Sequence, residues 1–165
     1  MVKIIGIDPG LAATGIGIVR GLGPRIDGYS FGSIHTSKNS SFASRLDKIF
    51  SKLLQLLKSE NPDLMVIEDV FSLNRYPKSG IILGQVTGVI QLAGFHASVP
   101  AIEVPVREAK QILTGNGNAD KKQLEKAVRH QLNHKLPIKP AHASDAMGLA
   151  LIGLYRYQDN LNTVR

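Results

Sequence analysis

The sequence predicts an α/β fold built on a mixed β-sheet. Short β-branched apolar runs, typical of strands buried on both faces, alternate with longer runs that have apolar residues at helical spacing. Three strand-like segments follow one another with short connections, which indicates an antiparallel meander. A helix then leads to a fourth strand, and a crossover of this kind lays the new strand parallel to its neighbour.

The chain has the size and composition of one globular domain. Its 165 residues are 43% hydrophobic, with a mass of 17.9 kDa and a mean hydropathy near zero, which allows an ample core. We predict a single domain over residues 1–158 and a frayed tail over 159–165. The absence of Cys excludes disulfides and thiolate metal sites. The first residues lack the pattern of a signal peptide, so we expect a cytoplasmic protein.

The first strand, residues 2–7, ends in Asp8 followed by a Pro-Gly turn. An ionised, unpaired carboxylate at the mouth of a buried strand costs several kcal/mol, so Asp8 should meet a cation, hydrogen-bond donors or solvent. Alternatively, Asp8 only opens the turn, since Asp is favoured there. The second and third strands are predicted over residues 14–20 and 25–36.

Another acid stands at the end of the fourth strand. Ser40 or Ser41 caps the long amphipathic helix that leads to this strand, residues 63–69, in which Glu68 stands near the end. If the first and fourth strands are parallel, Asp8 and Glu68 lie at the same carboxyl edge, where α/β sheets place their ligands. Two adjacent acids repel each other unless a proton or a metal ion lies between them.

A helix over residues 78–97 is apolar on nearly all sides and has glycines at every fourth position, Gly80, Gly84 and Gly88. Its polar residues and the following Pro100 argue against a membrane span. A helix of this kind must be buried on two sides. One side would be its own sheet, and the other is predicted to be a twin helix in a two-fold homodimer. The alternative is a helix enclosed within one domain.

The C-terminal third combines a fifth strand, basic helices and a last helix that begins near Ala141. The last helix carries His142 and Asp145 one turn apart on the same face. The net charge of +7 and the pI near 9.8 are due mostly to Lys and Arg between residues 107 and 139. This excess favours an anionic partner such as nucleic acid, with a merely solvated basic helix as the alternative.

Four side chains form the candidate site: Asp8, Glu68, His142 and Asp145. Oxygen ligands with one imidazole and no thiolate suit Mg²⁺ or Mn²⁺. Carboxylates that hold two metal ions, beside a basic surface that holds a polyanion, favour phosphodiester hydrolysis.

Five segments, in order over nearly the whole chain, resemble the RuvC-type Holliday junction resolvases of the ribonuclease H and integrase-like superfamily: IIGIDPG, TGIGIV, MVIEDVF, LGQVTGV and AHASDAMGLA. The resemblance implies a ribonuclease H-like fold, a mixed five-stranded sheet flanked by helices on both faces, and a homodimer. It also implies Mg²⁺-dependent paired nicking of two like-polarity strands at a four-way DNA junction in recombination and repair. Expected partners are junction DNA and the branch-migration proteins RuvA and RuvB.

The resemblance places catalytic and metal-binding roles on Asp8, Glu68, His142 and Asp145. The family's third acid is often Asp, and its replacement by His142 affects the expected metal preference more than the reaction. Asp8 would bridge two Mg²⁺ ions, with Mn²⁺ able to substitute, while Glu68 and Asp145 each complete one coordination shell. His142 would ligate or orient the water, which attacks in line and leaves 5′-phosphate and 3′-hydroxyl ends.

Further positions are candidates for DNA contact. Phe71 matches an aromatic residue of the family and would wedge against an unstacked base, although packing into the core is the alternative. Lys110 and Lys121 match basic positions near the scissile phosphate. Weaker candidates are Arg75, Lys78 and Lys122, and each surface Lys would alternatively only be solvated.

Three other functions remain open. One is a nuclease of the same superfamily that acts on RNA–DNA hybrids or ribosomal RNA precursors. Another is an actin-like or sugar-kinase-like ATPase, but those folds need two such domains and this chain has room for one. The third is a junction-binding module without activity, which four intact ligand positions argue against.

Overall fold

The computed structural model describes residues 1–69 and 77–163. The strands in these ranges are β1 (Val2–Asp8), β2 (Ala13–Leu22), β3 (Arg25–His35), β4 (Leu64–Asp69) and β5 (Ala101–Pro105). The helices are α1 (Phe42–Glu60), α2 (Pro77–His96), α3 (Val106–Thr114), α4 (Lys121–Gln131) and α5 (Ala141–Thr163). The elements predicted from the sequence are present, close to their expected bounds.

The strands form one mixed sheet in the order β3-β2-β1-β4-β5. β1, β2 and β3 pair antiparallel, whereas β4 is parallel to both β1 and β5. This confirms the predicted meander and crossover. Ile7 stands opposite Ile67, so the next residues along these strands, Asp8 and Glu68, reach the same edge of the sheet.

Helices cover both faces of the sheet, as predicted. On one face α5 packs against β1 and β2, with α3 and α4 beside it. On the other face α1 and α2 pack against each other and against the sheet. The helical spacing of apolar residues in α1 buries Ile49, Leu53 and Leu57. Ser41 caps α1 by accepting a hydrogen bond from the Ser44 N–H at 3.2 Å.

Glycines of β1 and β2 allow the backbone of α5 to lie directly on the sheet. A Cβ at Gly6 would overlap the carbonyl oxygen of Ala146, and one at Gly15 would overlap that of His142. Gly15 is also the residue opposite Asp8 in the β1–β2 pair. The missing Cβ of Gly15 therefore lets the first turn of α5 settle beside the strand end that carries Asp8.

Two expectations about the longer helices are met differently. None of the helices within residues 1–69 and 77–163 is long and apolar enough to cross a membrane. α5 continues to Thr163, so helical backbone extends further into residues 159–165 than the expected fraying allows.

The contact between α5 and the glycines gives a stability prediction. Gly6→Ala should lower the free energy of unfolding by about 1–3 kcal/mol, because the added methyl group meets the backbone of α5 rather than a movable side chain. Urea denaturation measures the change. Gly32→Ala is the matched control in β3, since its Cβ would have no atom within 4 Å. Equal stability of the two variants would contradict direct packing of α5 on β1.

Candidate active site

The four candidate side chains surround one cavity of about 500 Å³ at the carboxyl edge of the sheet. β1 and β4 supply Asp8 and Glu68, while the first turns of α5 supply His142 and Asp145. The structure therefore brings together residues that are far apart in the sequence. Residues that the sequence analysis did not assign to the site also line the cavity: Asp69, Leu83 and Val106.

Hydrogen bonds and an ion pair join the polar groups of this cavity. His142 Nδ1 lies 2.5 Å from Asp8 Oδ2, and the Asp8 carboxyl also hydrogen-bonds with that of Glu68. Lys121 Nζ lies 3.4 Å from Asp145 Oδ2. Asp8 is only 6% exposed, whereas the Lys121 side chain is 71% exposed. Asp8 is thus the buried centre of the group, and Lys121 reaches it from solvent.

Burial raises the pKa of both strand-end carboxyls. Desolvation is the main cause that raises the pKa of Glu68 to about 9, followed by its hydrogen bond with Asp8 and by the charges of Asp8 and Asp145. Burial also raises the pKa of Asp8 to about 6, although the hydrogen bond with Glu68 and the charge of Lys121 oppose this rise. In the absence of a cation, the pair therefore retains a proton at neutral pH.

The donor set fits a divalent cation, although its members are not gathered around a ready-made ion position. Within residues 1–69 and 77–163, no group of three or more His, Cys, Asp or Glu side chains is placed to hold a metal ion directly. Instead Asp8 pairs with His142, and Asp145 pairs with Lys121. A divalent ion would replace these pairings and would remove the repulsion that raises both carboxyl pKa values. Carboxylates with one imidazole suit such an ion.

Hydrogen bonds that the sequence analysis missed hold the loop after Asp8. The Thr14 hydroxyl donates to the Gly10 carbonyl at 2.8 Å, and the Thr36 hydroxyl donates to the Leu11 carbonyl at 2.5 Å. Arg45 Nε on α1 in turn donates to Thr36 Oγ1 at 2.8 Å. This loop lines the cavity, so α1 and the end of β3 help to fix one of its walls.

The candidate DNA-contacting residues have different positions. Lys110 and Lys121 line the cavity. Lys122 lies outside it, in a neighbouring groove between α4 and α5. Phe71 and Arg75 fall outside the described residues.

The family model for crossover junction endodeoxyribonuclease RuvC matches residues 4–153. This chain belongs to the RuvC family. RuvC of Geobacter metallireducens is 39% identical over 90% of this chain and 90% of the relative. RuvC of Thermosipho melanesiensis is also 39% identical, over 90% of this chain and 94% of the relative.

A solved structure of T. thermophilus RuvC in complex with Holliday junction substrate is also similar to this chain. It has a TM-score of 0.90 and 27% sequence identity, and the match covers 97% of each chain. These similarities confirm the ribonuclease H-like fold and the assignment as a Holliday junction resolving endonuclease. Membership of the RuvC family indicates use of a divalent metal. A nuclease for RNA–DNA hybrids is not favoured.

The raised pKa of Glu68 predicts a pH-dependent effect on stability. A carboxyl whose pKa is higher in the folded state destabilises that state as the pH rises from about its unfolded value, 4.5, towards about 9. Without metal, Glu68→Gln should therefore melt a few degrees (~2–6 °C) above wild type at pH 8 and near wild type at pH 4.5.

Calorimetry in EDTA at the two pH values measures this effect. Asp47→Asn, at an exposed position of α1, is the control for removal of one acidic charge. A Glu68→Gln variant with no gain at pH 8 would show that Glu68 is not under electrostatic stress.

Proposed function

We propose that this chain cuts four-way DNA junctions by paired symmetric nicks that leave 5′-phosphate and 3′-hydroxyl ends. The observation that carries the proposal is the convergence of Asp8, Glu68, His142 and Asp145 on one cavity at the carboxyl edge of the sheet. The T. thermophilus relative solved with Holliday junction substrate supports junction DNA as the ligand.

Within this proposal, the four side chains hold two Mg²⁺ ions. Divalent ions in such a site activate a water and stabilise the leaving oxygen in phosphodiester hydrolysis. Asp8 is the shared ligand, because it is the most buried of the group and contacts both Glu68 and His142. Glu68 and Asp145 lie on either side of it, and His142 ligates or orients the attacking water. The oxygen-rich donor set favours Mg²⁺, and the imidazole also allows Mn²⁺.

Basic residues at the cavity hold the DNA backbone in this proposal. Lys110 lines the wall, and Lys121 is mostly exposed although it pairs with Asp145. An exposed ion pair of this kind is worth little, about 0–1 kcal/mol, so the ammonium group is available to a phosphate. Phe71 and Arg75 are retained as candidates for contact with unstacked bases and phosphates.

A homodimer would supply the two active sites that paired nicks require. α2 buries Val86, Ile90 and Ala93 against this chain, but it leaves an apolar face exposed, with Ile81 66% and Phe95 79% accessible. A Cβ at Gly80, Gly84 or Gly88 would meet no atom within 4 Å, so a second helix has room beside α2. These features support the pairing of two α2 helices about a two-fold axis.

The remaining parts of the proposal concern the cellular setting. The resemblance to RuvC resolvases suggests RuvA and RuvB as partners that present the junction. A cytoplasmic location suits an enzyme whose substrate is recombining DNA.

Asp8→Asn should retain junction binding but lose cleavage by at least about 10²–10³-fold, because it removes a charge at the centre of the site with little change of shape. Gel-shift and nicking assays with a synthetic four-way junction, with and without Mg²⁺, measure the two properties. Asp47→Asn on α1 is the matched control and should cut like wild type. Wild-type cleavage by Asp8→Asn would falsify the assignment of Asp8.

Ile81→Glu should weaken the proposed dimer, since it places a charge on the exposed apolar face of α2. Light scattering at micromolar concentration should give about twice the chain mass of 17.9 kDa for wild type and a lower mass for the variant. Leu136→Glu, at a loop residue that is 70% exposed, is the control and should remain dimeric. A monomeric wild type would rule out this interface.

A further inference from the structure

A second groove adjoins the active-site cavity, and we call it the α4–α5 groove. It has a volume of about 730 Å³ and is lined by the first turns of α4 and α5 together with the loop before α5. Lys121 and Asp145 line both the groove and the active-site cavity, so the two spaces share a wall. A chain that occupies the active site therefore has a direct path into this groove.

The charge of the α4–α5 groove suits an anion. Lys121, Lys122 and Lys139 line it, and its two acids are already engaged within the protein. Glu125 accepts a hydrogen bond from the Ile138 N–H at 3.0 Å and forms an ion pair with Arg129 Nε at 2.8 Å, while Asp145 pairs with Lys121. The list of cations near the groove therefore exceeds that of acids available to neutralise them.

Helix energetics give an independent reason to expect an anion. Lys121 and Lys122 are the first two residues of α4, where the positive end of the helix dipole disfavours cations by about 0.3–1 kcal/mol each at most exposed sites. The first turn of α4 contains no acidic residue that would offset them. Two lysines at this position therefore do not stabilise the helix, and an anion between the N-terminal turns of α4 and α5 would be favoured by both.

The remaining wall of the groove suits the apolar part of a nucleotide. Ile138, Pro140 and Ala141 contribute to it, and the hydrogen bond from Ile138 N–H to Glu125 fixes the loop to α4. Ser144 is 3% exposed, and its hydroxyl has no hydrogen-bond partner among the residues that the structure describes. A buried hydroxyl without a partner indicates a site for ordered water or for a ligand oxygen.

We propose that the α4–α5 groove holds the nucleotide next to the scissile phosphate on the strand being cut, with Lys122 and Lys139 on its backbone phosphate. This inference rests on the function proposed above, because it extends the path of the same DNA strand. Cationic rims combined with apolar walls are the usual means of holding single nucleic-acid strands. Continuity with the cavity through Lys121 and Asp145 favours DNA over an acidic protein segment as the occupant.

The test compares two double variants that each lose two positive charges. Lys122→Gln with Lys139→Gln alters the groove, and Lys48→Gln with Lys52→Gln alters exposed positions of α1 on the opposite face of the sheet. Both are made in the cleavage-deficient Asp8→Asn protein, and junction affinity is measured with Mg²⁺ over a range of salt concentrations. The junctions carry either natural phosphates or a single neutral methylphosphonate, placed in turn at each phosphate that flanks the cut.

The groove variant should lower the slope of log affinity against log salt by about two, one for each lost phosphate contact, while the control stays near the parent protein. At one or two phosphates beside the cut, methylphosphonate should weaken the parent but have no further effect on the groove variant, because both changes remove the same contact. Unchanged melting temperatures of the exposed-residue variants exclude misfolding as the cause.

Other results would overturn the inference. If the groove and control variants lose equal slope, or every methylphosphonate weakens the groove variant as much as the parent, the groove does not hold the cut strand. Loss of binding to a poly-glutamate probe with unchanged junction binding would instead assign it to an acidic protein segment. If the parent protein binds no junction at all, the proposed function fails as well, so the two failures are distinguishable.

Discussion

Direct contact between α5 and the glycines of β1 and β2 is the constraint on which the active site depends. Asp8 and Gly15 stand opposite each other in the sheet, and the absent side chain of Gly15 makes room for the carbonyl group of His142. This contact brings an imidazole within 2.5 Å of a carboxyl group that lies 134 residues earlier in the chain. A side chain at this glycine would lift the helix and separate the donors that must act together.

Electrostatic stress at the carboxyl edge is the cost of this arrangement. Burial and mutual proximity raise the pKa of both Asp8 and Glu68, so the metal-free protein tolerates two acids that would be more stable apart. The hydrophobic layers on both faces of the sheet stabilise the fold around them. Such a conflict is common where function requires like charges to be close, and a bound cation resolves it.

The sequence predicts the strand ends well because their physical signals are local. The β-branched runs that end in Asp8 and Glu68 are short and unmistakable, and the crossover rule fixes their parallel pairing. The hydrogen bonds from Arg45 through Thr36 to Leu11 have no comparable signal, since they join residues from three separate segments. The α4–α5 groove also escapes prediction, because it depends on how an irregular loop packs between two helix ends.

The central claim is that Asp8, Glu68, His142 and Asp145 form one metal site. Anomalous diffraction from crystals of the protein grown with Mn²⁺ tests it most directly, because the ion is located independently of any activity. The account predicts one or two anomalous peaks about 2 Å from oxygens of these carboxylates, with the His142 imidazole at one of them. Saturating Mn²⁺ with no peak in this cavity, or with peaks only elsewhere on the protein, would contradict it.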